Sequence, residues 1–215
     1  MAGACGRTYR VDPRLDPAPC NALVLTASGL LVPSTVIEAR PGISVTAPAA
    51  GDCPQTWQVG IDASWAQSVW NPAPGGLHAL TGADRVYEQV TEMTTITIPR
   101  AGVWEVDYQV RGVVFLPANS AGAMFVTAAI FKNGAITSGS EAMITGISVG
   151  GGTAPASTAQ NTGGQTYLDV FAAGDLVTLH AYRIGQLGTA SVVSNGDGRT
   201  RIMAHWIGPT GDTSA

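Results

Sequence analysis

The stretch of sequence that decides the fold reads WEVDYQVR and runs from Trp104 to Arg111. Apolar and polar residues alternate in it without an exception. Successive side chains of a β-strand point to opposite faces of a sheet. The stretch therefore predicts a strand with one face on a core and the other on water or a partner.

Further strand-like segments lie on both sides of this stretch. They are rich in β-branched and aromatic residues and are bounded by Gly, Pro, Asn and Asp, as short strands joined by turns are. We predict strands at Thr94–Ile98, Ala123–Phe131, Ala135–Ser148, Gln165–Phe171, Leu176–Ile184, Ala190–Val193 and Thr200–Ile207. Residues 82–93 fit a helix or a strand, and the strand is favoured.

Two turn sequences predict hairpins between these strands. Asn133-Gly134 and the Ser194–Gly198 segment each place Asn-Gly between two strand-like runs. Asn-Gly favours a type I′ turn, because such a turn needs positive φ at both central residues. By contrast, Gly150–Gly164 is rich in Gly, Ser, Thr and Ala and predicts a long exposed loop.

The composition supports an all-β fold. Hydrophobic residues make up 45% of the chain and charged residues only 12%, and there are 27 glycines and 13 prolines. A helical protein would need more Glu, Lys, Leu and Arg, whereas many short strands with Gly and Pro turns fit this profile. We predict a jelly-roll β-sandwich of about eight to ten strands.

The N-terminal quarter differs from the rest of the chain. Prolines punctuate residues 1–55, which excludes central strands there and predicts an extended docking arm, with short extended pieces at Ala22–Thr26 and from Ser34–Glu38 into Ile43–Thr46. Its cysteines leave two alternatives open, a Cys5–Cys20 disulfide or free thiols at Cys5, Cys20 and Cys53.

The rest of the chain divides into a head and a tail. We predict a jelly-roll head at residues 56–210 and a short tail at residues 211–215. The three tryptophans Trp57, Trp65 and Trp70 surround a Pro- and Gly-rich turn in residues 56–80, which predicts a bridge with one short strand.

Charge and hydropathy exclude several classes of function. The net charge is −4 and Lys132 is the only lysine, so no basic stripe is present to neutralise phosphates. No apolar run is long enough for a membrane helix, and no apolar segment of a signal peptide follows the first residues. The histidines His78, His180 and His205 lack the spacing of a metal site, and no cofactor motif is present.

One catalytic motif needs explicit weighing. Gly146–Gly150 matches the G-x-S-x-G nucleophile elbow around Ser148, and downstream acids and histidines follow in the order of an α/β-hydrolase. The elbow needs a sharp turn from a strand into a helix. The following residues, GGTAP, start a helix poorly, and the required alternation of strands and helices is absent. We therefore predict that the chain is not an enzyme, with a Ser148 hydrolase as a remote alternative.

The apolar run Ala123–Phe131 predicts a strand buried on both faces. A two-layer sandwich buries only one face of each sheet, so the second burial needs a neighbouring subunit or a covering loop. The candidate subunit-interface residues are Phe125, Ala129, Phe131, Tyr182 and Trp206.

Four motifs in residues 94–208 resemble the jelly rolls of the tumour-necrosis-factor-like and complement globular-head family. They are Ile96–Tyr108 with its turn and strand, Phe131–Gly134 with its Lys-Asn-Gly, Leu168–Val177 with its Gly-Asp-x-Val, and the closing strand Arg201–Ile207. The resemblance implies a ten-strand jelly roll that forms a homotrimer, with its inner sheet at the three-fold axis, and that acts as a binding module.

The N-terminal part is similar to minor tail or fibre proteins of phages that infect actinobacteria. The similarity rests on Cys20–Leu23 and Ser28–Pro33. It implies a non-enzymatic, trimeric virion protein on the particle surface, such as a spike, tail fibre head or capsid decoration. Residues 1–55 would attach it to other virion proteins, and the head would contact a glycan or protein of the host surface. The alternative is a cellular or secreted lectin-like module.

Overall fold

The computed structural model describes residues 24–26, 29–31, 37–39, 43–47, 49, 57–61, 65–70, 76–151 and 153–210. In these residues the chain forms sixteen β-strands and no helix. The antiparallel strands form a jelly-roll β-sandwich, so the predicted fold class is confirmed. The strand number exceeds the prediction, because several strands are only two to four residues long.

The strands follow one another along the chain with these bounds: β1 Val24–Thr26, β2 Gly29–Leu31, β3 Ile43–Thr46, β4 Gln58–Ile61, β5 Trp65–Val69, β6 Gly76–Ala79, β7 Glu88–Gln89, β8 Ile96–Thr97, β9 Gly102–Leu116, β10 Gly122–Lys132, β11 Ala135–Ile136, β12 Ala142–Val149, β13 Ser157–Phe171, β14 Leu176–Ile184, β15 Thr189–Ser194 and β16 Arg201–Gly208.

The described residues divide into two compact units, and both large sheets belong to the unit that contains Val59–Ala215. The first sheet has the order β11-β10-β14-β7, with β12 also on β10 and β8 also on β14. The second has the order β5-β16-β9-β15-β6, with β13 on the other edge of β9.

The hydrophobic core lies between these two sheets. Alternate residues of β9 are buried, which confirms the alternation that the sequence shows. Tyr108 is fully buried, and its hydroxyl donates to the carbonyl oxygens of Ala128 and Ser140, which satisfies a polar group that would otherwise be costly to bury. The largest fully buried side chains include Trp104, Tyr108, Phe171, Leu80, Ile98, Leu116, Met124, Ile130, Ile144, Leu179 and Ile202.

In the smaller unit, β1 and β2 form a two-stranded sheet. β3 and β4 form another two-stranded sheet. The predicted strand at Ile43–Thr46 is confirmed, but the one at Ser34–Glu38 is wrong at Ile37 and Glu38, which are described and lie in no strand. Most of the predicted arm, including Cys5, Cys20 and Cys53, lies outside the described residues.

The Asn133-Gly134 hairpin is confirmed. Asn133 and Gly134 have φ of 52° and 82°, and the flanking Lys132 and Ala135 pair. Two positive φ values are the signature of a type I′ turn. Asn133 also accepts from the Leu176 backbone N–H at 2.8 Å, which fixes the turn against the start of β14.

The second predicted hairpin is wrong. β15 and β16, on either side of Ser194–Gly198, do not pair with each other but lie one after the other along β9. The segment between them is an excursion from one edge of β9. The Thr200 hydroxyl joins the two pieces, because it accepts from the Arg111 backbone N–H at 3.1 Å and donates to the Val193 carbonyl oxygen at 2.8 Å.

The predicted loop at Gly150–Gly164 is wrong from Ser157 onward, since β13 begins there and pairs with β9 without interruption as far as Phe171. Backbone pairing with a long strand supplies the hydrogen bonds of this segment, so it needs no apolar side chains to become a strand. Gly164 lets the two backbones approach closely.

Two further expectations need correction. Residues 82–93 contain only the two-residue strand β7, and the rest is turns, because the segment follows the edge of β14 through single bonds such as Val90 N–H to the Leu179 carbonyl. Residues 56–80 contain three strands, β4, β5 and β6, instead of one.

Candidate functional site

The outward side of the sheet formed by β5, β16, β9 and β13 is the candidate site, and we refer to it as the β9 face. In β9 the residues Trp104, Val106 and Tyr108 are fully buried. Strand residues alternate between the two faces, so Glu105 and Asp107 point away from the core.

The strand register assembles this face into rows. One row across the four strands is Trp65, His205, Glu105 and Leu168. Its two end residues are large and apolar, yet Trp65 is 56% exposed and Leu168 is 63% exposed. Single exposed apolar residues are ordinary, but here they lie on both edges of one row.

The neighbouring rows differ from this one. The next row is Gln67, Met203, Asp107 and Thr166, so its ends are polar, and the Thr166 hydroxyl donates to Asp107 Oδ2 at 2.8 Å. On the other side of the first row, the exposed Val170 lies opposite Val103. The apolar edges of the β9 face are therefore confined to the first row and to Val170 beside it.

The middle of the face carries two acids, Glu105 and Asp107, one histidine, His205, and one arginine, Arg201, which lies opposite Gln109. Glu105 and His205 lie opposite each other in the ladder, and neither forms an ion pair with another described residue. A carboxylate and an imidazole that lie side by side without an ion pair can each pair with a group on a second surface.

The five residues predicted as the interface lie elsewhere. Phe125, Ala129 and Phe131 of β10 and Tyr182 of β14 lie on the outward side of the other sheet, whereas Trp206 belongs to β16. Ala129 is 0% exposed and Tyr182 is 8% exposed within the single chain. Whether any of the five contacts a second copy stays a prediction.

An aromatic cluster covers this outward side of β10 and β14. The Tyr87 ring packs edge-on against Phe131 at 5.1 Å and against Tyr182 at 4.6 Å between centroids. Phe131 stacks on His180 at 3.8 Å. Tyr87 comes from the turn segment before β7, and its hydroxyl donates to Glu141. A segment of the chain itself therefore covers part of the outward side of the apolar run.

Burial in this cluster changes proton affinities. It raises the pKa of Tyr87, and the hydrogen bond to Glu141 adds to the effect. It lowers the pKa of His180 below the usual 6.5, because desolvation disfavours the charged imidazolium. The stacked His180 ring is thus held in its neutral form.

We expect acid to destabilise the fold through His180. Below about pH 6.5 the unfolded chain binds a proton at this residue while the folded chain resists it, so the free energy of unfolding falls as the pH falls. His180→Gln removes the titrating group. Urea unfolding midpoints between about pH 8 and pH 5 should therefore decline more steeply for the wild type than for His180→Gln. Parallel pH profiles would contradict the assignment.

Ser148 does not have the geometry of a nucleophile elbow. It lies inside β12, where it pairs with Ala123 of β10, rather than at a turn into a helix. His180 pairs with Ala129, six residues further along β10, which is about 20 Å of strand. His205 belongs to the other sheet. The acid, base and nucleophile of the hydrolase alternative are therefore not brought together.

The histidines are also placed apart. His78 Nδ1 lies 2.6 Å from Glu92 Oε2, and His180 Nε2 lies 3.1 Å from the Thr178 hydroxyl. Among the described residues, no cluster of three or more His, Cys, Asp or Glu side chains could hold a metal ion. The same residues include no helix able to span a membrane.

Sequence reasoning missed the exposed apolar residues of the β9 face. Side chains alternate between the two faces of β13, and this alternation separates the outward Leu168 and Val170 from the inward Phe171. The alternation is hard to recognise in the sequence because the charged Asp169 lies on the same face as Phe171. Asp169 forms an ion pair with Lys132 at 3.0 Å. The exposed position of Trp65 was also missed, because no separate strand was predicted around this residue.

Comparisons with known proteins give little beyond the fold. No family model matches the chain, and no curated protein matches it. Among solved structures it is similar to the Eiger TNF of S. frugiperda, with a TM-score of 0.39 and 9% sequence identity, over 71% of this chain and 98% of that chain. A likeness at this level assigns no activity, partner or site to this chain.

Proposed function

We propose that the chain is a non-enzymatic jelly-roll module that assembles into a homotrimer through its β9 face and serves as a surface spike, fibre head or decoration of a phage virion. The observation that carries self-association is the pair of exposed apolar edges, Trp65 on β5 and Leu168 on β13. Large exposed apolar residues beside polar ones are typical of protein–protein interfaces.

The arrangement of the two edges favours a closed ring. Trp65 and Leu168 lie on opposite sides of the four-strand face, about 14 Å apart at the usual strand spacing. In a head-to-tail contact the Trp65 edge of one copy meets the Leu168 edge of the next, and such a contact closes into a ring when the rotation permits. Tryptophan is also enriched among residues that dominate binding energy.

The charges between the edges fit the same contact. Glu105 and His205 share a row, so a neighbouring copy brings a second Glu105 and a second His205 to the interface. An imidazole of one copy beside a carboxylate of another offsets part of the cost of removing both from water. Self-complementarity of this kind favours a second copy of the chain as the occupant of the face.

Attachment to the virion rests on the N-terminal residues. Their similarity to tail and fibre proteins and their many prolines support a role for residues 1–55 in docking onto other virion proteins. The head would then project outward and contact a glycan or protein on the host surface. We therefore propose that the chain lies on the virion surface.

Truncation tests the attachment. Particles that assemble with the full chain should carry it, whereas a chain that lacks residues 1–55 should be absent from purified particles, because its docking segment is gone. The mass of the truncated chain in solution is the control, and it should stay that of a trimer, since the β9 face is retained. Truncated chain that co-purifies with particles at the full-length ratio would refute the role of the arm.

A further inference from the structure

A donor-rich pocket lies further along the β9 face, at the excursion between β15 and β16. It has a volume of about 280 Å³ and is lined by Arg111, Gln160, Asn161, Thr162 and Arg199. Arg111 follows Asp107 by four residues on β9, so the pocket is about 13 Å from the rows that carry the proposed subunit contact.

The two arginines of this pocket share one carboxylate. Arg111 Nη1 donates to Asp197 Oδ2 at 3.1 Å, and Arg199 Nε donates to the same oxygen at 2.9 Å. Two guanidinium groups and one carboxylate leave one net positive charge. This excess stands out in a chain of net charge −4.

The positive charge is held in a partly dry environment. The Arg111 side chain is only 17% exposed, so charges beside it are screened less than on an open surface. A guanidinium has five N–H donors in a fixed fork and matches two oxygens of an oxyanion at once. The bond to Asp197 therefore leaves further donors of Arg111 for a ligand.

The remaining wall of the pocket suits hydroxyl groups. The Gln160 side chain provides an amide donor and an acceptor, and Thr162 provides a hydroxyl. The Asn161 side chain points to the other side of β13, where its amide nitrogen donates to the Ile144 carbonyl at 3.1 Å. A positive pair beside neutral hydrogen-bonding groups matches a ligand with one anionic group among several hydroxyls.

We propose that this pocket binds an acidic saccharide, with the sugar carboxylate on Arg111 and Arg199 and its hydroxyls on the side chains of Gln160 and Thr162. The pocket shares no residue with the rows that carry the subunit contact of the proposed function. Failure of the trimer would therefore leave the saccharide site standing, and the reverse also holds.

Saturation-transfer NMR of D-glucuronate with the full chain tests the site. We expect saturable binding of glucuronate in the millimolar range and none of D-glucose, which lacks the carboxylate. Arg199→Gln should weaken glucuronate binding about tenfold, because one charge-assisted contact is lost. Asp197→Asn should tighten it by a similar factor, since it frees both guanidinium groups while keeping the side-chain shape.

Two controls make the result decisive. Arg85→Gln removes one positive charge at an arginine that is 66% exposed and lies elsewhere, and it should leave binding unchanged. Arg199 is 54% exposed, so Arg199→Gln should fold as the wild type does. Thermal melting of each variant checks this.

Three outcomes would overturn the site. They are no saturable binding of glucuronate, equal losses in Arg199→Gln and Arg85→Gln, or weaker binding in Asp197→Asn. Inorganic sulfate that binds as tightly as glucuronate would overturn the saccharide assignment, because it would show that the pocket recognises the anion alone.

Discussion

Leu168→Glu is expected to convert the assembled protein into monomers. Leu168 is the most exposed apolar side chain of the proposed contact, and the change places a carboxylate at the edge that meets Trp65 of the next copy. Glu105, directly opposite on β9, adds a second negative charge. Burying an unpaired charge costs several kcal/mol, so self-association should weaken by more than about a hundredfold.

Met143→Glu is the matched control for this change. Met143 is also an exposed apolar strand residue, but it belongs to β12 of the other sheet. The substitution introduces the same charge at a site outside the β9 face, and the variant should keep the assembled mass of the wild type in solution. Sedimentation velocity of both variants decides the point. A Leu168→Glu variant with wild-type mass, or equal dissociation of both variants, would place the contact elsewhere.

Gly164→Ala is expected to destabilise the sandwich by about 3 kcal/mol. A β-carbon at Gly164 would overlap the carbonyl oxygen of Tyr108, which belongs to the β9 backbone and cannot rotate away. The ladder between β13 and β9 would have to open at its middle, directly behind the fully buried Tyr108 side chain.

The neighbouring glycine provides the control. A β-carbon at Gly163 would lie 3.5 Å from the Ile144 α-carbon, which is an ordinary contact. Gly163→Ala should therefore change stability by less than about 1 kcal/mol, since alanine also restricts the unfolded chain. Urea unfolding at equal protein concentrations measures both. Equal midpoints for the two variants would contradict the close approach of β13 to β9.

The parts of the fold that the sequence predicts well are those set by local chemistry. The alternation in Trp104–Arg111 is read directly as one inward and one outward face. The Asn133-Gly134 turn follows from the φ values that only a few residues adopt easily. Leu176–Ile184 has the predicted bounds because an apolar run ends there at a glycine.

The parts that were not predicted depend on distant partners. Ser194–Gly198 has the sequence of a hairpin, but β9 is long enough to pair with both flanking strands in turn. Ser157–Gly164 has the composition of a loop, yet the edge of β9 makes it a strand. The residues of either segment carry no information on the length of β9, so local sequence patterns could not predict these strand pairings.

The cover of the apolar run and the candidate site also depend on distant partners. The run Ala123–Phe131 is apolar on both faces, which indicates that both faces are buried but does not identify the residues that cover it. Tyr87, more than forty positions earlier than Phe131, provides part of the cover. The exposed residues Trp65 and Leu168 come together only through β16 and β9, so their row appears once the register is known.

The mass of the full chain in solution tests self-association most directly. Sedimentation equilibrium at micromolar concentration should give about 66 kDa, the mass of three chains of 22.0 kDa. A mass of 22.0 kDa at every concentration would contradict a homotrimer and would leave the β9 face without its proposed occupant.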